Sequence, residues 1–216
     1  GAHTASVTGG PLTFTLQPDA PFVSGDTCSV TVVAAGVADQ DNDDPPDSMS
    51  ADVTFGFSVG DPCVAPATLI SAVQGSGTTS PVTGTVVSIQ GVVVGDYQGS
   101  TGLQGFHVQE EDADADADPA TSEGIFVFQG ASGVAVAPGD VVRVNGTVIE
   151  FTSSGTQLTE LSSVTSMTVC SSGATVTPAS VSLPVAALTD LERFEGMSVQ
   201  TTQTLTVTET FTLGRF

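Results

Sequence analysis

The chain has 216 residues, with 24 acidic and only 3 basic side chains, so its net charge is -21 and its pI is about 4.1. This balance excludes a basic groove along a nucleic-acid backbone, because phosphate binding needs clustered Lys and Arg. It also excludes a cationic helix on a membrane surface. The apolar runs are too short to cross a bilayer, so we expect no membrane partner. No N-terminal signal pattern is visible, and we interpret the chain as a mature form or a fragment.

Val, Thr, Ile and Phe are plentiful, the chain has 24 Gly and 12 Pro, and runs of helix-forming residues are scarce. This composition predicts an all-β fold with many turns. Three cysteines, the lack of Lys and acidic loops predict a secreted, extracellular protein, since disulfides persist and calcium is available outside the cell. Solubility in a saline environment is an alternative explanation for the acidity.

In chain order, the first block shows apolar-polar alternation at residues 12–16, 28–33 and 53–59, which predicts three strands. A complete sandwich has about seven strands, so residues 1–61 are predicted to form part of a β-sandwich. Residues 62–66 contain two prolines and predict a stiff linker.

The second block, residues 67–216, has strand patterns at 85–95, 105–109, 124–128, 140–151, 157–161, 164–169 and 197–207. A single helical turn is predicted at 188–194. Strands of this length with Gly at bends favour a small closed barrel of the OB type. No βαβ pattern is present, which argues against Rossmann and TIM architectures.

An acidic run between two of these strands has a spacing typical of a calcium loop. Its carboxylates stand at alternate positions and end on a Glu at the twelfth, as in an EF-hand loop. The loop lacks the usual Gly at position six and has no flanking helices, so a solvated acidic loop is the alternative. The predicted calcium ligands are Asp112, Asp114, Asp116, Asp118 and Glu123.

A second acidic loop lies in the first block, where prolines would pre-order alternating oxygen ligands. An acidic turn between two strands is the alternative interpretation. The predicted ligands are Asp39, Asp41, Asp43, Asp44 and Asp47.

Aromatic side chains flank the Gly-rich bend at residues 95–99. Tyr97 and Phe106 are the candidate stacking platform for a base or a sugar on an OB barrel. A rim that merely closes the barrel end is the alternative. His107 alternates with Phe106 and Val108, so its side chain is expected to point outward.

Catalytic constellations are hard to find. The sequence has no Gly-x-Ser-x-Gly elbow, no phosphate loop with Lys and no HExxH motif. Arg143, Arg193 and Arg215 are too few and too scattered for a phosphate clamp. We therefore predict that this chain is not an enzyme.

Three cysteines allow one disulfide and leave one thiol over. We favour Cys63–Cys170, which would join the start of the second block to its later strands. The alternatives for Cys28 are a partner in an upstream segment or pairing with Cys63.

The second block resembles the OB-fold-like domain of large secreted bacterial nucleases. The motifs that carry this resemblance stand at residues 68–77, 84–94, 105–110, 122–128, 138–144 and 191–197. The first block is similar to the bacterial Ig-like module often found ahead of that domain, through residues 28–32 and 37–49. The resemblance implies a partial Ig-like β-sandwich followed by an OB-like β-barrel. It also implies that the partner of Cys28 lies upstream.

In that family the OB-like domain precedes an endonuclease/exonuclease/phosphatase-type catalytic domain, whose motifs this chain lacks. The resemblance therefore implies a non-catalytic, calcium-stabilised accessory region of a secreted nuclease. It would position nucleic acid, or bind DNA weakly, for a downstream nuclease domain. The alternative is a structural extracellular module, as in an adhesin, a surface layer or a filament, that forms oligomers through its β edges.

Overall fold

The computed structural model describes residues 4–10, 13–38, 48–99, 102–130, 133–153 and 155–206. Strands dominate and helices are few, so the predicted all-β class is confirmed. The chain divides into two compact units, Gly1–Ala65 and Pro66–Phe216. Within the described residues, no helix has the length and apolar character needed to span a membrane.

The first unit contains two separate antiparallel hairpins. Strand β1 (Ala5–Gly9) pairs with β2 (Phe14–Pro18), and β3 (Thr27–Val32) pairs with β4 (Val53–Ser58). Each hairpin is a two-stranded sheet, and no described apolar side chain of this unit is buried. The predicted Ig-like sandwich is therefore not confirmed, because a sandwich requires two sheets that bury a shared core.

The second unit is built on a closed barrel of five strands. The strands are β5 (Val86–Tyr97), β6 (Gly105–Gln109), β7 (Gly124–Phe128), β8 (Val141–Ser153) and β9 (Thr156–Ser171). Their order around the barrel is β5-β6-β7-β9-β8, and β8 closes onto β5. All neighbours are antiparallel except β7 and β9, which are parallel. Closure leaves none of these five strands as an edge of the barrel sheet.

Strand β9 is longer than the sequence pattern predicts. Two strands were expected at residues 157–161 and 164–169, yet the structure has one continuous strand from Thr156 to Ser171. The pairing of β9 with β8 shifts register between Asn145 and Thr147, and Ser163 adopts a φ of 49°. The interruption in the alternation is therefore a β-bulge within one strand.

The barrel interior holds the hydrophobic core. Alternate residues of each strand point inward, so Phe106, Val108, Ile125 and Leu161 are fully buried. A short helix, α1 (Ile70–Gln74), adds Ile70 and Val73 to the same core.

The segment after the barrel has little regular structure. A parallel bridge joins β10 (Ala179–Ser180) to β11 (Val199–Gln200), and a 3-10 helix, Leu188–Phe194, lies between them. The predicted helical turn at 188–194 is confirmed. The strand predicted at 197–207 is reduced to Val199–Gln200 in the part of it that the structure describes.

Candidate ligand-binding site on the barrel

Three aromatic rings form a row across the outer face of the barrel. Register pairs Gly95 with His107 and His107 with Phe126, which places the three rings on neighbouring strands. The Tyr97 and His107 rings are 5.8 Å apart between centroids and almost perpendicular, at 85°. The His107 and Phe126 rings are 4.9 Å apart and tilted by 56°. Aromatic pairs at such distances stabilise one another, so the row is a fixed feature of this face.

Alternation along β6 decides which rings can reach a ligand. His107 points outward, as its position between Phe106 and Val108 predicts. Phe106 points into the barrel and has no exposed surface. The proposed pairing of Tyr97 with Phe106 as a stacking platform is therefore wrong for Phe106, because a ring inside the core cannot contact a ligand. His107 is the ring that stands beside Tyr97.

Close approach of these rings requires glycine on two strands. A Cβ on Gly95 would lie 2.8 Å from Cε2 of Tyr97, and a Cβ on Gly105 would lie 2.5 Å from Cζ of Phe126. The rings of Tyr97 and Phe126 therefore approach backbone that carries no side chain. Glycine in a strand often marks such a close approach.

A cavity of about 270 Å³ opens beside the first two rings of the row. Tyr97 and His107 line one side, and residues 196–198 line the other. The side chain of Gln109 holds this second wall, since Oε1 accepts a hydrogen bond from the backbone N–H of Ser198 at 2.9 Å. Sites for drug-sized ligands have about 300–1,000 Å³, so this cavity suits a single ring system.

His107 carries an unsatisfied polar atom at this site. Its Nδ1 is buried and has no hydrogen-bond partner in the part of the chain that the structure describes. Burial lowers the pKa of the imidazole below its usual value, so the ring is neutral at pH 7. A buried polar group without a hydrogen-bond partner lowers the stability of the folded state by about 1–3 kcal/mol. In this protein such a group lies on a residue that lines a cavity.

Tyr97 is the accessible end of the row, with 49% of its surface exposed. Phe126 is the closed end, with only 4% exposed. A ligand can therefore stack on Tyr97 and contact His107, while Phe126 supports the imidazole from behind.

The acidic loop after β6 uses several predicted calcium ligands for its own hydrogen bonds. Asp112 accepts bonds from the N–H and the hydroxyl of Thr177 at 2.8 and 2.6 Å, which lower the pKa of its carboxyl. Glu123 Oε1 accepts from the Asp116 N–H at 2.8 Å, and Asp116 Oδ1 accepts from the Asp118 N–H at 2.8 Å. These contacts order the loop through its own donors.

A different set of carboxylates comes together at the start of the loop. Among the described residues, the group whose oxygen atoms lie within 4.8 Å of one another is Glu110, Glu111 and Asp114. Asp114 is the member that the sequence pattern predicted. The turn over residues 111–115 causes this grouping, since the Glu111 carbonyl accepts from the N–H groups of Asp114 and Ala115.

Glu110 and Glu111 differ in their surroundings. Glu110 is 3% exposed, and its Oε2 accepts from the N–H of Ile70 at 2.6 Å. Burial raises the pKa of Glu110 to about 8, although that hydrogen bond acts in the opposite direction. Glu111 Oε2 is buried, and no described residue is its hydrogen-bond partner. An unpaired buried oxygen next to two further carboxylates fits a hard cation, which oxygen ligands bind.

Other predicted sites have mixed outcomes. The ligands proposed in the second acidic loop, residues 39–47, lie outside the described residues. Cys63 and Cys170 form a disulfide, as favoured from the sequence, and Cys28 is a free thiol.

Sequence reasoning missed a half-buried acidic network between α1, β8 and β9. Glu195 Oε1 accepts from the N–H of Thr159 at 3.0 Å and from Nε2 of Gln74 at 3.3 Å. Glu150 Oε1 accepts from the N–H of Ser80 at 2.7 Å and from the Thr159 hydroxyl at 3.1 Å. Burial raises the pKa of Glu195 to about 7. The glutamates are far apart in the sequence, so no local motif predicts the network.

Glu160 continues the outward row on β9, where it pairs in register with Phe126. It is 5% exposed, and burial raises its pKa to about 7. A carboxyl group with this pKa is partly protonated at neutral pH, so Glu160 adds less negative charge to the outer face than an ordinary glutamate would.

Comparison with known proteins leaves the family of this chain open. The function proposed for it therefore depends on the geometry of the site and on the resemblance of its motifs. No family model, no curated protein and no solved structure matches the chain.

Proposed function

We propose that this chain is a non-catalytic accessory region of a secreted bacterial nuclease, in which the outer face of the barrel holds single-stranded nucleic acid weakly. The observation that carries the proposal is the Tyr97–His107 pair beside a cavity of single-ring size. The role is to position the strand for the catalytic domain that follows such a region in the family it resembles.

The strand order supports an OB-type barrel. Numbered from β5, the order is 1-2-3-5-4, and strands 3 and 5 are the parallel pair. OB folds bind oligonucleotides and oligosaccharides on the face of strands 2 and 3 and on the adjoining loops. Here these strands are β6 and β7, which carry His107 and Phe126, and the β5–β6 connection follows Tyr97.

The charge limits how the strand is held. A net charge of -21 repels a phosphate backbone, so base stacking must supply most of the binding. Stacking on an aromatic side chain contributes about 1–3 kcal/mol per base and tolerates any sequence. The complex is therefore weak, and cations that screen or bridge the two negative surfaces strengthen it.

Calcium is the cofactor that we propose for this region. Glu110, Glu111 and Asp114 would hold it, with the unpaired Oε2 of Glu111 as one ligand. A bound divalent cation would neutralise part of the acidic loop and stabilise its turn. Secretion follows from the same proposal, and the Cys63–Cys170 disulfide fits an extracellular location.

Fluorescence anisotropy with a labelled oligothymidylate, with and without calcium, tests the binding function. We expect saturable weak binding that Tyr97→Ala reduces by about 1–3 kcal/mol, or roughly five- to 150-fold. Phe151→Ala is the matched control, because Phe151 has the same exposed fraction, 49%, on another strand of the barrel. A flat titration of the wild-type protein in calcium would overturn the proposal.

Calorimetric titration of EDTA-treated protein tests the cofactor. We expect a stoichiometric heat of binding and a higher melting temperature in calcium. At a free calcium concentration a hundred times the dissociation constant, binding should raise the free energy of unfolding by about 2.7 kcal/mol. Glu111→Gln combined with Asp114→Asn should abolish both, whereas Asp19→Asn in the first unit should not. Equal heats from the double variant and the wild type would exclude this cluster as the site.

A second candidate is a structural module that assembles through its β edges. Its supporting observation is the first unit, where hairpin strands leave Leu16, Phe55 and Phe57 exposed around a groove of about 680 Å³. Exposed two-stranded edges of this kind pair readily with other strands. Sedimentation velocity over a range of protein concentrations decides between the two functions. A strict monomer contradicts assembly of this chain, whereas concentration-dependent oligomers favour it.

A further inference from the structure

The two ring nitrogens of His107 have different surroundings. Neither nitrogen has a hydrogen-bond partner among the described residues. Nδ1 is buried, whereas Nε2 is not and remains accessible to solvent. Because His107 lines the cavity beside Tyr97, this accessible nitrogen belongs to the part of the ring that a ligand can reach.

These surroundings determine where the single proton of the neutral ring sits. A buried N–H without an acceptor is rarer in proteins than a buried lone pair without a donor. The proton is therefore carried by Nε2, while Nδ1 keeps the unpaired lone pair. The ring then presents a fixed N–H donor at the accessible nitrogen.

We infer that the cavity takes one nucleobase through a bond from His107 Nε2–H to a ring carbonyl or ring nitrogen of the base. The base stacks on Tyr97, whose face is exposed, and its polar edge accepts the bond. Since the two protein rings are almost perpendicular, they offer different contacts, a ring face from Tyr97 and an N–H group from His107. This inference rests on the proposed function and names the chemistry of the group that the site recognises.

The acidity of the chain agrees with this ligand chemistry. Asp96 lies next to Tyr97 in the sequence, and the protein carries 24 acidic residues. A neutral ring that is recognised through an acceptor atom avoids the repulsion that a phosphate would meet there. Recognition by the base edge, with the phosphates left in solvent, is the arrangement that this surface tolerates.

The test compares two labelled strands whose bases share a shape but differ in their hydrogen-bonding groups. The first is an oligothymidylate, and the second replaces thymine by its shape-matched isostere 2,4-difluorotoluene, which stacks but accepts hydrogen bonds poorly. We expect the unmutated 216-residue chain to bind the thymine strand about two- to tenfold more tightly, the range that one hydrogen bond supplies. Equal affinity for the two strands overturns the inference and leaves the proposed function standing.

Variants of His107 separate the hydrogen bond from the shape of the ring. His107→Phe should bind both strands equally, because the ring is kept and the donor is lost. His107→Gln should restore part of the preference, since its amide places an N–H near the position of Nε2. Far-ultraviolet circular dichroism checks that each variant retains the fold. A preference for thymine that survives in His107→Phe contradicts the assignment.

Nitrogen-15 NMR of the free protein tests the tautomer without any ligand. We expect a protonated Nε2 and an unprotonated Nδ1 for His107 at pH 7. A proton on Nδ1 overturns the inference even if the strand binds. Failure of the wild type to bind either strand, with the expected tautomer in place, refutes the proposed function instead.

Discussion

The two units use similar alternating sequences with different results. In the barrel unit, alternation buries side chains such as Ile125 and Leu161 completely. In the first unit, the same kind of pattern leaves Phe14 60% exposed and Phe55 51% exposed. Alternation thus determines which residues share a face of a strand, and closure of the sheet determines whether that face is buried. The site with a cavity and an unpaired nitrogen belongs to the unit whose strands close.

The largest expected difference in stability is between removing a ring from the barrel core and removing a ring from the first unit. Phe106→Ala should lower the free energy of unfolding by about 3–5 kcal/mol, because it leaves a cavity in the barrel core. Phe55→Ala should change it by no more than about 0.5 kcal/mol, as is usual for a surface side chain. Urea unfolding followed by circular dichroism measures both. A loss from Phe55→Ala as large as that from Phe106→Ala would show that the first unit buries its apolar face.

The cysteines provide the next comparison. Cys170→Ser removes the bond to Cys63, and we expect a loss of about 2–5 kcal/mol in the free energy of unfolding. Cys28→Ser in the first unit should have little effect, since Cys28 is a free thiol. Urea unfolding of both variants in the absence of reductant makes the measurement. Equal stability of Cys170→Ser and the wild type would contradict a stabilising role for the disulfide.

The buried carboxylates of the barrel should make its stability depend on pH. The pKa of Glu160 rises from an ordinary 4.5 to about 7 on folding, because burial disfavours its charged form. The folded state therefore binds this proton more tightly than the unfolded state does. The stability that this proton supplies is fully present below about pH 4.5 and is lost as the pH rises through about 7.

Glu160→Gln removes this dependence. At pH 8 the variant should be more stable than the wild type by about 1–3 kcal/mol, whereas at pH 4 the two should be nearly equal. Asp112→Asn is the control of opposite sign. Its carboxyl has a lowered pKa through bonds from Thr177, so the variant should lose stability at pH 7 and match the wild type in strong acid. Thermal melts in EDTA at several pH values measure both, and a Glu160→Gln advantage that does not grow with pH would contradict the assignment.

The strands of the barrel could be predicted because alternation and turn residues are local signals. The segments at 105–109 and 124–128 match strands β6 and β7 residue for residue. The hairpin strand β1 and the helix α1 were missed. Helix α1 spans only five residues, Ile70–Gln74, and is held by its packing into the barrel core and by the distant Glu110.

The candidate site could be predicted only in part, for a physical reason. Tyr97 and the outward direction of His107 follow from composition and alternation. The prediction that Phe106 stacks on a ligand was wrong, because sequence neighbours on a strand point to opposite faces and Phe106 points into the barrel. The grouping of Glu110, Glu111 and Asp114 depends on the turn, and the half-buried position of Glu195 depends on packing between distant elements. No spacing rule along the chain contains that information.

The smallest expected effect compares one kind of contact in the two units. The hydroxyls of Thr31 and Thr54 are hydrogen-bonded at 2.8 Å across the exposed β3–β4 hairpin, and Asn145 donates to Ser166 at 2.5 Å across β8 and β9. Such cross-strand pairs contribute about 0.2–1 kcal/mol. Thr31→Val should therefore increase amide hydrogen exchange only within its own hairpin, because that sheet has no third strand among the described residues to transmit the change. Ser166→Ala should act on two strands of a closed barrel, so its effect should appear in global unfolding. Equal and purely local changes in the two variants would mean that the barrel opens in parts, as the hairpins do.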